Sequence, residues 1–455
     1  MIPLSALSSE KFSEQGTFGS GFAFLEWLKD TNQSAWQLLP LHQTPLERGS
    51  NHKHIPSPYK SYGIGLDPRY MSLALPCPTP TPKQLEAFVH EQKDWLLDYA
   101  LFCALRDHFS TDDWSTWPKD IRTYQGKAIQ HYTEELKTAI TEHIQMQGRL
   151  HFQYEIVRKK AQEYTISLIG DLPFYVGYKS PLVWAHQELF DLTSEGKMRK
   201  VSGIPDGPEA HFGRQIWGHA LYQWQGVDKK EQLVRFWKMR LKYLAALFDW
   251  IRLDHAKGLF FYGVIDLEKP LKDIVKKGPG AKVLEELILY ARGEGLEFFA
   301  EDSGDKIKEL RSTLQKLNVP GIRILYFSIA AKKGAKMYSE YGDVPSYPVN
   351  TFACTTTHDT ETLLGYLELL TSVQKKELAQ HAEVRFSTDN IELAKRLRKA
   401  IIDSQARGIL IPIQDWLLTK DRINIPGTEK DINDPNWQYK LKTPVEKLET
   451  SFEIL

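Results

Sequence analysis

The sequence predicts an α/β chain folded as a (β/α)8 TIM barrel, and two observations carry that prediction. Short apolar runs alternate with helical patterns along the whole chain. Four of those runs stop on, or just before, an acidic residue, as strands do when they deliver polar groups to one shared face. Eight runs read as buried parallel strands: 2–7, 36–41 (WQLLPL), 166–171 (ISLIGD), 250–254 (WIRLD), 297–301 (EFFAE), 322–327 (IRILYF), 352–357 (FACTTT) and 409–413 (ILIPI). We expect a single barrel over 1–455 with mainly helical insertions.

The elements follow in order. The glycine-rich stretch 16–21 (GTFGSG) has no strong strand before it, so it reads as a turn into the first helix rather than a dinucleotide fingerprint. After the second strand comes a polar loop around 57–68, and then a proline-rich connector, 76–82. Helical patterns such as 95–109 and 154–164 follow, and together they predict a helical insertion over 63–160, between strands two and three. A second excursion, 181–224, separates the third strand from the helix before the fourth. The run KKGPGAK at 276–282 lacks P-loop spacing and reads as a solvated turn. No repeat of solenoid or propeller period is visible.

Composition narrows the function classes. The 455 residues hold 58 Lys plus Arg and 58 Asp plus Glu, a formal charge of zero, without the basic surface that nucleic acid requires. Forty-two per cent of residues are hydrophobic and 12% aromatic, including 12 Trp and 20 Tyr, enough for a core with aromatic platforms to spare for sugar faces. Cys77, Cys103 and Cys354 form no CxxC and no disulfide framework. The start, MIPLSAL, lacks a basic n-region and a long apolar run, so no signal peptide and no membrane partner are expected. A cytoplasmic protein is the expectation.

The chemistry sits at strand ends. Asp254 closes the fourth predicted strand, Glu301 closes the fifth, and His358-Asp359 follows the seventh, so a parallel barrel brings all of them to its C-terminal face. A single such acid is often only a helix cap. Arg252 and Asp254 lie two apart on one strand and face the same way. A guanidinium there favours the ionised carboxylate a nucleophile needs. Glu301 follows Phe298 and Phe299, and apolar surroundings favour the protonated form of a general acid. Two carboxyls pushed apart in this way are what a retaining glycosidase uses.

WQLLPL, SPYKSYG, GDLPFYV, VWAHQELF, IWGHALYQW, RLDHAKG, AEDSG, NVPGIRILYF, THDTET, PIQDWL and RINIPGT occur here in the order seen in the amylomaltase or 4-α-glucanotransferase (disproportionating enzyme) family, glycoside hydrolase family 77, which this chain resembles from about Trp36 to Trp437. The resemblance implies a barrel with helical insertions and no C-terminal β domain. It implies Asp254 as nucleophile, Glu301 as acid/base and Asp359 as transition-state stabiliser. It further implies Arg252, His358, Asp171, Ser57, Tyr59, Gln215 and Trp217 as substrate-binding residues, with 181–224 covering the active site. The implied partners are α-1,4-glucan and maltooligosaccharide donors and acceptors, with glucose as an acceptor. No metal or organic cofactor is expected.

Departures from the family pattern lie around the carboxylates. Thr360 and Glu361 stand where Asn and Asp are usual, and Ala256 and Lys257 where Phe and Arg are usual. His219-Ala220 replaces Asn-Pro, Arg214 replaces Gly, and the usual PPD is altered at Pro205-Asp206. These changes bear on acceptor preference and on transfer against hydrolysis. Three other readings use the same residues: an α-glucan hydrolase, a catalytically silent glucan-binding protein, and a metal-dependent hydrolase drawing on His52, His54, His358 and Asp359.

Overall fold

The computed structural model describes residues 1–46, 54–77, 79–205, 214–269, 272–330, 334–426 and 436–449. Its strands, in chain order, are β1 (Ser8–Ser9), β2 (Glu14–Gln15), β3 (Ala35–Gln37), β4 (Ser167–Leu172), β5 (Lys200–Ile204), β6 (Gln215–Ile216), β7 (Trp250–Leu253), β8 (Phe261–Asp266), β9 (Ile274–Lys277), β10 (Glu297–Ala300), β11 (Gly321–Ile324), β12 (Thr351–Cys354) and β13 (Gly408–Ile409).

Seven of these strands line up in parallel. β3, β4, β7 and β10 pair side by side, as do β11, β12 and β13. The Ala300 N–H donates to the Pro320 carbonyl at 2.9 Å and joins the two runs. At the other seam the Met1 nitrogen donates to Ile411 at 2.8 Å, the Ile413 N–H to Met1 at 3.0 Å, and the Ile2 N–H to Gln37 at 3.2 Å. Met1 and Ile2 thus fill the eighth position of a (β/α)8 barrel, between β13 and β3. The expected strand over 2–7 stops there, because Pro3 has no N–H to continue a ladder, and Leu4–Ala6 turn as a 3-10 helix. Two other strand ends are shorter than expected. β11 gives way to a 3-10 turn at Leu325–Ser328, and after β13 Pro412 precedes a short helix, Ile413–Trp416.

Strand alternation splits the core. Ile169, Phe299, Ile322, Ile324, Phe352, Cys354 and Leu410 pack together inside the barrel, while Leu168, Ile251, Leu253 and Phe298 face the surrounding helices. The same parity continues upward from the interior layer. Two residues beyond Ile169 stands Asp171, two beyond Trp250 stands Arg252 and then Asp254, and two beyond Phe299 stands Glu301. Asp171 and Arg252 are direct cross-strand partners. The strands therefore carry an apolar plug capped by a charged layer.

Helices enclose the barrel. Thr17 caps the first, Phe18–Asp30, after Gly16 turns at φ +70°, as expected of the glycine-rich stretch. Between β3 and β4 run Pro82–Glu91, opened by a Thr81/Gln84 capping box, then Leu96–Phe109, Gly126–Glu135 and the 27-residue Lys137–Glu163. Four helix-to-strand connections share one device. A left-handed residue (Asn32, Thr165, Gly295 or Asn318) lets the next N–H reach five residues back, to Leu28, Ala161, Ala291 and Leu314 respectively. Among the described residues, no helix is long and apolar enough to cross a membrane.

One feature was not expected from the sequence: an antiparallel sheet, β6-β5-β8-β9, built from the 181–224 excursion and the segment after β7. Lys276 and Lys277 lie on its edge strand, not in a solvated turn. The turn itself is confined to residues 278–280, whose Gly278 and Gly280 N–H groups bond Phe260 and Leu259.

Candidate active site

At the C-terminal ends of β4, β7 and β10 one guanidinium organises the charged layer. Arg252 Nη1 donates to both oxygens of Asp171 at 3.1 and 2.9 Å and lies 2.9 Å from Asp254 Oδ1, while Nη2 donates to Glu301 Oε2 at 2.7 Å. Arg252 and Asp171 are buried; the Asp254 and Glu301 side chains keep 21% and 29% of their exposure, so both face solvent across the same guanidinium. Their positions come from backbone pairing at the strand ends. The Asp254 N–H bonds the Leu172 carbonyl and the Glu301 N–H bonds Leu253, each at 3.1 Å.

A second group closes the site from the side. Tyr59 sits in the 3-10 turn Pro58–Lys60, which buried Ser57 opens. Its hydroxyl donates to Asp171 Oδ2 at 2.6 Å, lies 2.8 Å from His358 Nε2, and its ring stacks on the His358 imidazole at 5.5 Å. His358 Nε2 is also 3.1 Å from Asp359 Oδ2, and Asn424 Nδ2 donates to Asp359 Oδ1 at 2.7 Å. Asp171, Tyr59, Arg252, Asp254, Glu301, His358 and Asp359 thus form one connected network, drawn from segments up to 300 residues apart.

Gln215 and Trp217 flank this network. Trp217 Nε1 donates to Gln215 Oε1 at 2.9 Å, and the indole meets the His255 ring edge-on at 4.8 Å. His255 follows Asp254 in a left-handed conformation (φ 47°), which aims its N–H at Glu301 Oε2, 3.4 Å away. His219 Nε2 lies 3.2 Å from the Tyr59 carbonyl, and its ring stacks on Tyr175.

The protonation order differs from the sequence expectation. Burial raises the Asp254 carboxyl well above the usual range, and although Arg252 opposes this, the neighbouring Asp171, Glu301 and Asp359 reinforce it. Burial acts on Glu301 in the same direction, but Arg252 and the His255 N–H outweigh it and hold Glu301 below its ordinary value. Arg252 favours the charged form of both, but at Asp254 the neighbouring carboxylates add to burial against it, whereas at Glu301 the His255 N–H adds to Arg252. Phe298 and Phe299 do not supply the expected apolar setting, since Phe298 packs outside the barrel and Phe299 stacks on Phe352 inside it at 4.3 Å. For Asp359, burial is overcome by His358 and Asn424, which bring it down to about 2.

Asn424 is the site residue that sequence reading left unassigned. It lies within RINIPGT, 65 residues after Asp359, and no periodicity links the two. Asp415, in PIQDWL, is another. It accepts from Thr355 and Thr356 at 2.5 and 2.6 Å and from the Leu363 N–H at 2.7 Å, fixing the loop that carries His358 and Asp359. Of the histidine set for a metal-dependent reading, His52 lies outside the described residues and His54 Nδ1 sits 2.7 Å from the Thr44 carbonyl. Among the described residues, no group of three His, Cys, Asp or Glu side chains is arranged to hold a metal ion.

A family model described as 4-alpha-glucanotransferase matches residues 2–75 and 77–446. The 4-alpha-glucanotransferase of Aquifex aeolicus is 27% identical over 92% of this chain and 90% of its own. That of Clostridium butyricum is 28% identical over 94% of this chain and 93% of its own. Among solved structures, the amylomaltase from Streptococcus agalactiae in complex with acarbose shares the fold with a TM-score of 0.79 at 24% identity, covering 97% of this chain and 94% of that one. The amylomaltase of Corynebacterium glutamicum gives 0.72 at 17% identity, over 96% and 70%. With the family model matched over nearly the whole chain, this protein belongs to the 4-alpha-glucanotransferases of glycoside hydrolase family 77.

Proposed function

We propose that this chain disproportionates α-1,4-glucans by a retaining double displacement. Glu301 protonates the glycosidic oxygen while Asp254 attacks the anomeric carbon; the glycosidic C–O bond breaks, the reducing-end piece leaves with the proton from Glu301, and a β-linked glycosyl-enzyme remains on Asp254. The 4-hydroxyl of a second maltooligosaccharide, or of glucose, then enters. Glu301 takes its proton, and the α-linkage is restored. The observation that carries this reading is the bridging of Asp254 and Glu301 by the single Arg252 guanidinium, which supports a close carboxyl pair of the retaining kind.

These roles require the proton to reside on Glu301 and the charge on Asp254 when a sugar occupies the site. A glycosidic oxygen within reach of Glu301 favours its protonated form, and Arg252 Nη1 is already 2.9 Å from Asp254 to stabilise the released charge. Asp359 and His358 grip hydroxyls of the reacting ring, with Asp171 and Tyr59 holding Arg252 and His358 in place. Residues 181–224, with Gln215 and Trp217, cover the bound glucan, and water exclusion there favours transfer over hydrolysis. Residues 63–160 form a helical subdomain of the same catalytic unit. We place the protein in the cytoplasm, where the free Cys77, Cys103 and Cys354 stay reduced.

Incubation with maltotriose tests the proposal. We expect glucose plus longer oligosaccharides with little net gain of reducing ends. Glu301→Gln should lower the rate by roughly 10²- to 10⁴-fold. A stoichiometric rise in reducing ends means a hydrolase, and equal turnover by wild type and Asp254→Asn means that Asp254 is not the nucleophile.

A further inference from the structure

We propose that Glu361 and Arg422 form a clamp that positions Asp359 through Asn424 and thereby sets the turnover of glucan transfer; the inference rests on the stabilising role given to Asp359 above. Asp359 lies in a loop beyond β12, so no ladder aims its carboxylate. Side chains must do so. His358 holds Oδ2, and buried Asn424 holds Oδ1. Asn424 is in turn held by its backbone: its N–H donates to the His358 carbonyl at 3.1 Å, and its carbonyl accepts from Arg422 Nη2 at 2.9 Å.

The same Arg422 nitrogen reaches the Asp359 carbonyl at 3.5 Å, and Nη1 donates to Glu361 Oε1 at 2.6 Å. One guanidinium therefore spans both the loop that carries Asp359 and the segment that brings Asn424 to it, and Glu361 sets the plane of that guanidinium. A partly exposed ion pair contributes little to stability by itself. A rigid planar fork joining two backbones contributes geometry instead.

The helix that follows leaves room for this arrangement. A Cβ placed on Gly365, in the first turn of Leu363–Leu369, would lie 2.8 Å from Glu361 Oε2 and 3.3 Å from Thr362 Oγ1. The Glu361 carboxylate occupies a slot that only glycine keeps open. A methyl group there would displace the flexible end of Glu361 from Arg422 while touching neither Asp359 nor Asn424. Neither Glu361 nor Arg422 contacts Asp254 or Glu301, so both are positioning residues.

Steady-state kinetics on maltotriose, with thermal unfolding alongside, tests the clamp. Glu361→Ala and Gly365→Ala should each lower kcat roughly 10- to 100-fold, in line with the cost of misplacing a reacting group by about 1 Å. KM should stay within about twofold. Gly365→Ala should leave Tm unchanged or raised, because alanine favours a helix over glycine, and that separates misplacement from unfolding. Added to Glu361→Ala, Gly365→Ala should have no further effect on kcat, since it acts only through the missing carboxylate. Additive losses, or wild-type kcat in both single variants while Asp359→Asn is inactive, overturn the clamp and leave the role of Asp359 standing. Wild-type turnover by Asp359→Asn overturns that role, and the clamp with it.

Discussion

Arg252 touches Asp171, Asp254 and Glu301 through one rigid plane, and at this site lysine is no substitute for arginine. A lysine ammonium is a point charge on a flexible stem and cannot hold Asp171 and Asp254 on one side and Glu301 on the other. We expect Arg252→Lys to lower kcat/KM on maltotriose on the order of 10²-fold, mostly through kcat, because the carboxyl pair loses its spacing rather than its substrate contacts. A change confined to KM would assign Arg252 to binding alone. The pairing of Arg252 with Asp254 was legible from a two-residue spacing on a predicted strand. The proton order was not. It depends on how many carboxylates share one guanidinium, and Asp171 and Asp359 enter that count from segments 83 residues before and 105 residues after Asp254. Asn424 was hidden for the same reason, since its hydrogen bond to Asp359 is created by the fold alone.

At the scale of elements, the barrel strands were legible because buried parallel strands are continuous apolar runs, and seven of the eight expected runs overlap a parallel strand. Their ends were less so. Of the four left-handed residues that close helices before strands, only Gly295 announces itself, whereas Asn32, Thr165 and Asn318 look like ordinary polar positions. The sheet β6-β5-β8-β9 was missed because β6 has only two residues and β9 is a half-exposed edge without alternation. That sheet makes a prediction. Arg214, which replaces the glycine usual in the family, pairs through Nε with Asp273 Oδ2 at 2.5 Å, just before β9, and Asp273 Oδ1 also accepts the Asp266 N–H at 3.0 Å. Arg214 directly precedes Gln215 and stands three residues before Trp217. The pair therefore tethers the segment proposed to cover the glucan to the β8–β9 hairpin. Arg214→Gly should raise hydrolysis relative to transfer several-fold as water gains access, with Asp273→Asn moving the ratio in the same direction. The measurement is reducing ends released per oligosaccharide transferred, and an unchanged ratio in both variants removes the tether from the account of specificity.

For the whole molecule, the fold stores neutral imidazoles whose charging opposes folding. His42 is buried, and burial, with help from the Arg240 cation, depresses it to about 3. His219 is depressed to about 4, chiefly by burial against Tyr175, with Lys60 acting in the same direction and the Tyr59 carbonyl opposing it. His151 and His255 move the same way, each to about 4, and burial is the main cause for both. In the unfolded chain these rings take up protons near pH 6.5. Between that value and the folded one, the unfolded state binds more protons, so stability rises with pH across the interval. The contribution is complete above about pH 6.5 and is lost as pH falls towards 4 for His219 and towards 3 for His42. At pH 5, His42 and His219 should each cost about 2 kcal/mol relative to neutral pH. The contribution of Asp359, depressed to about 2, is lost only below about pH 4 and so lies outside this window, whereas Asp254, held well above the usual carboxylate range, takes up a proton in the folded state and offsets part of the drop. Urea unfolding at pH 7 and pH 5 should therefore show a drop of several kcal/mol. His219→Asn, which installs the residue usual in the family, should remove about 2 kcal/mol of that drop while leaving the part due to His42. A wild-type profile flat from pH 7 to 5 would mean that these imidazoles find proton acceptors inside the fold. The tight packing of Tyr59, Tyr175 and His219 beside the carboxylates would then have to yield on protonation, and activity would fall over the same interval in which stability did not.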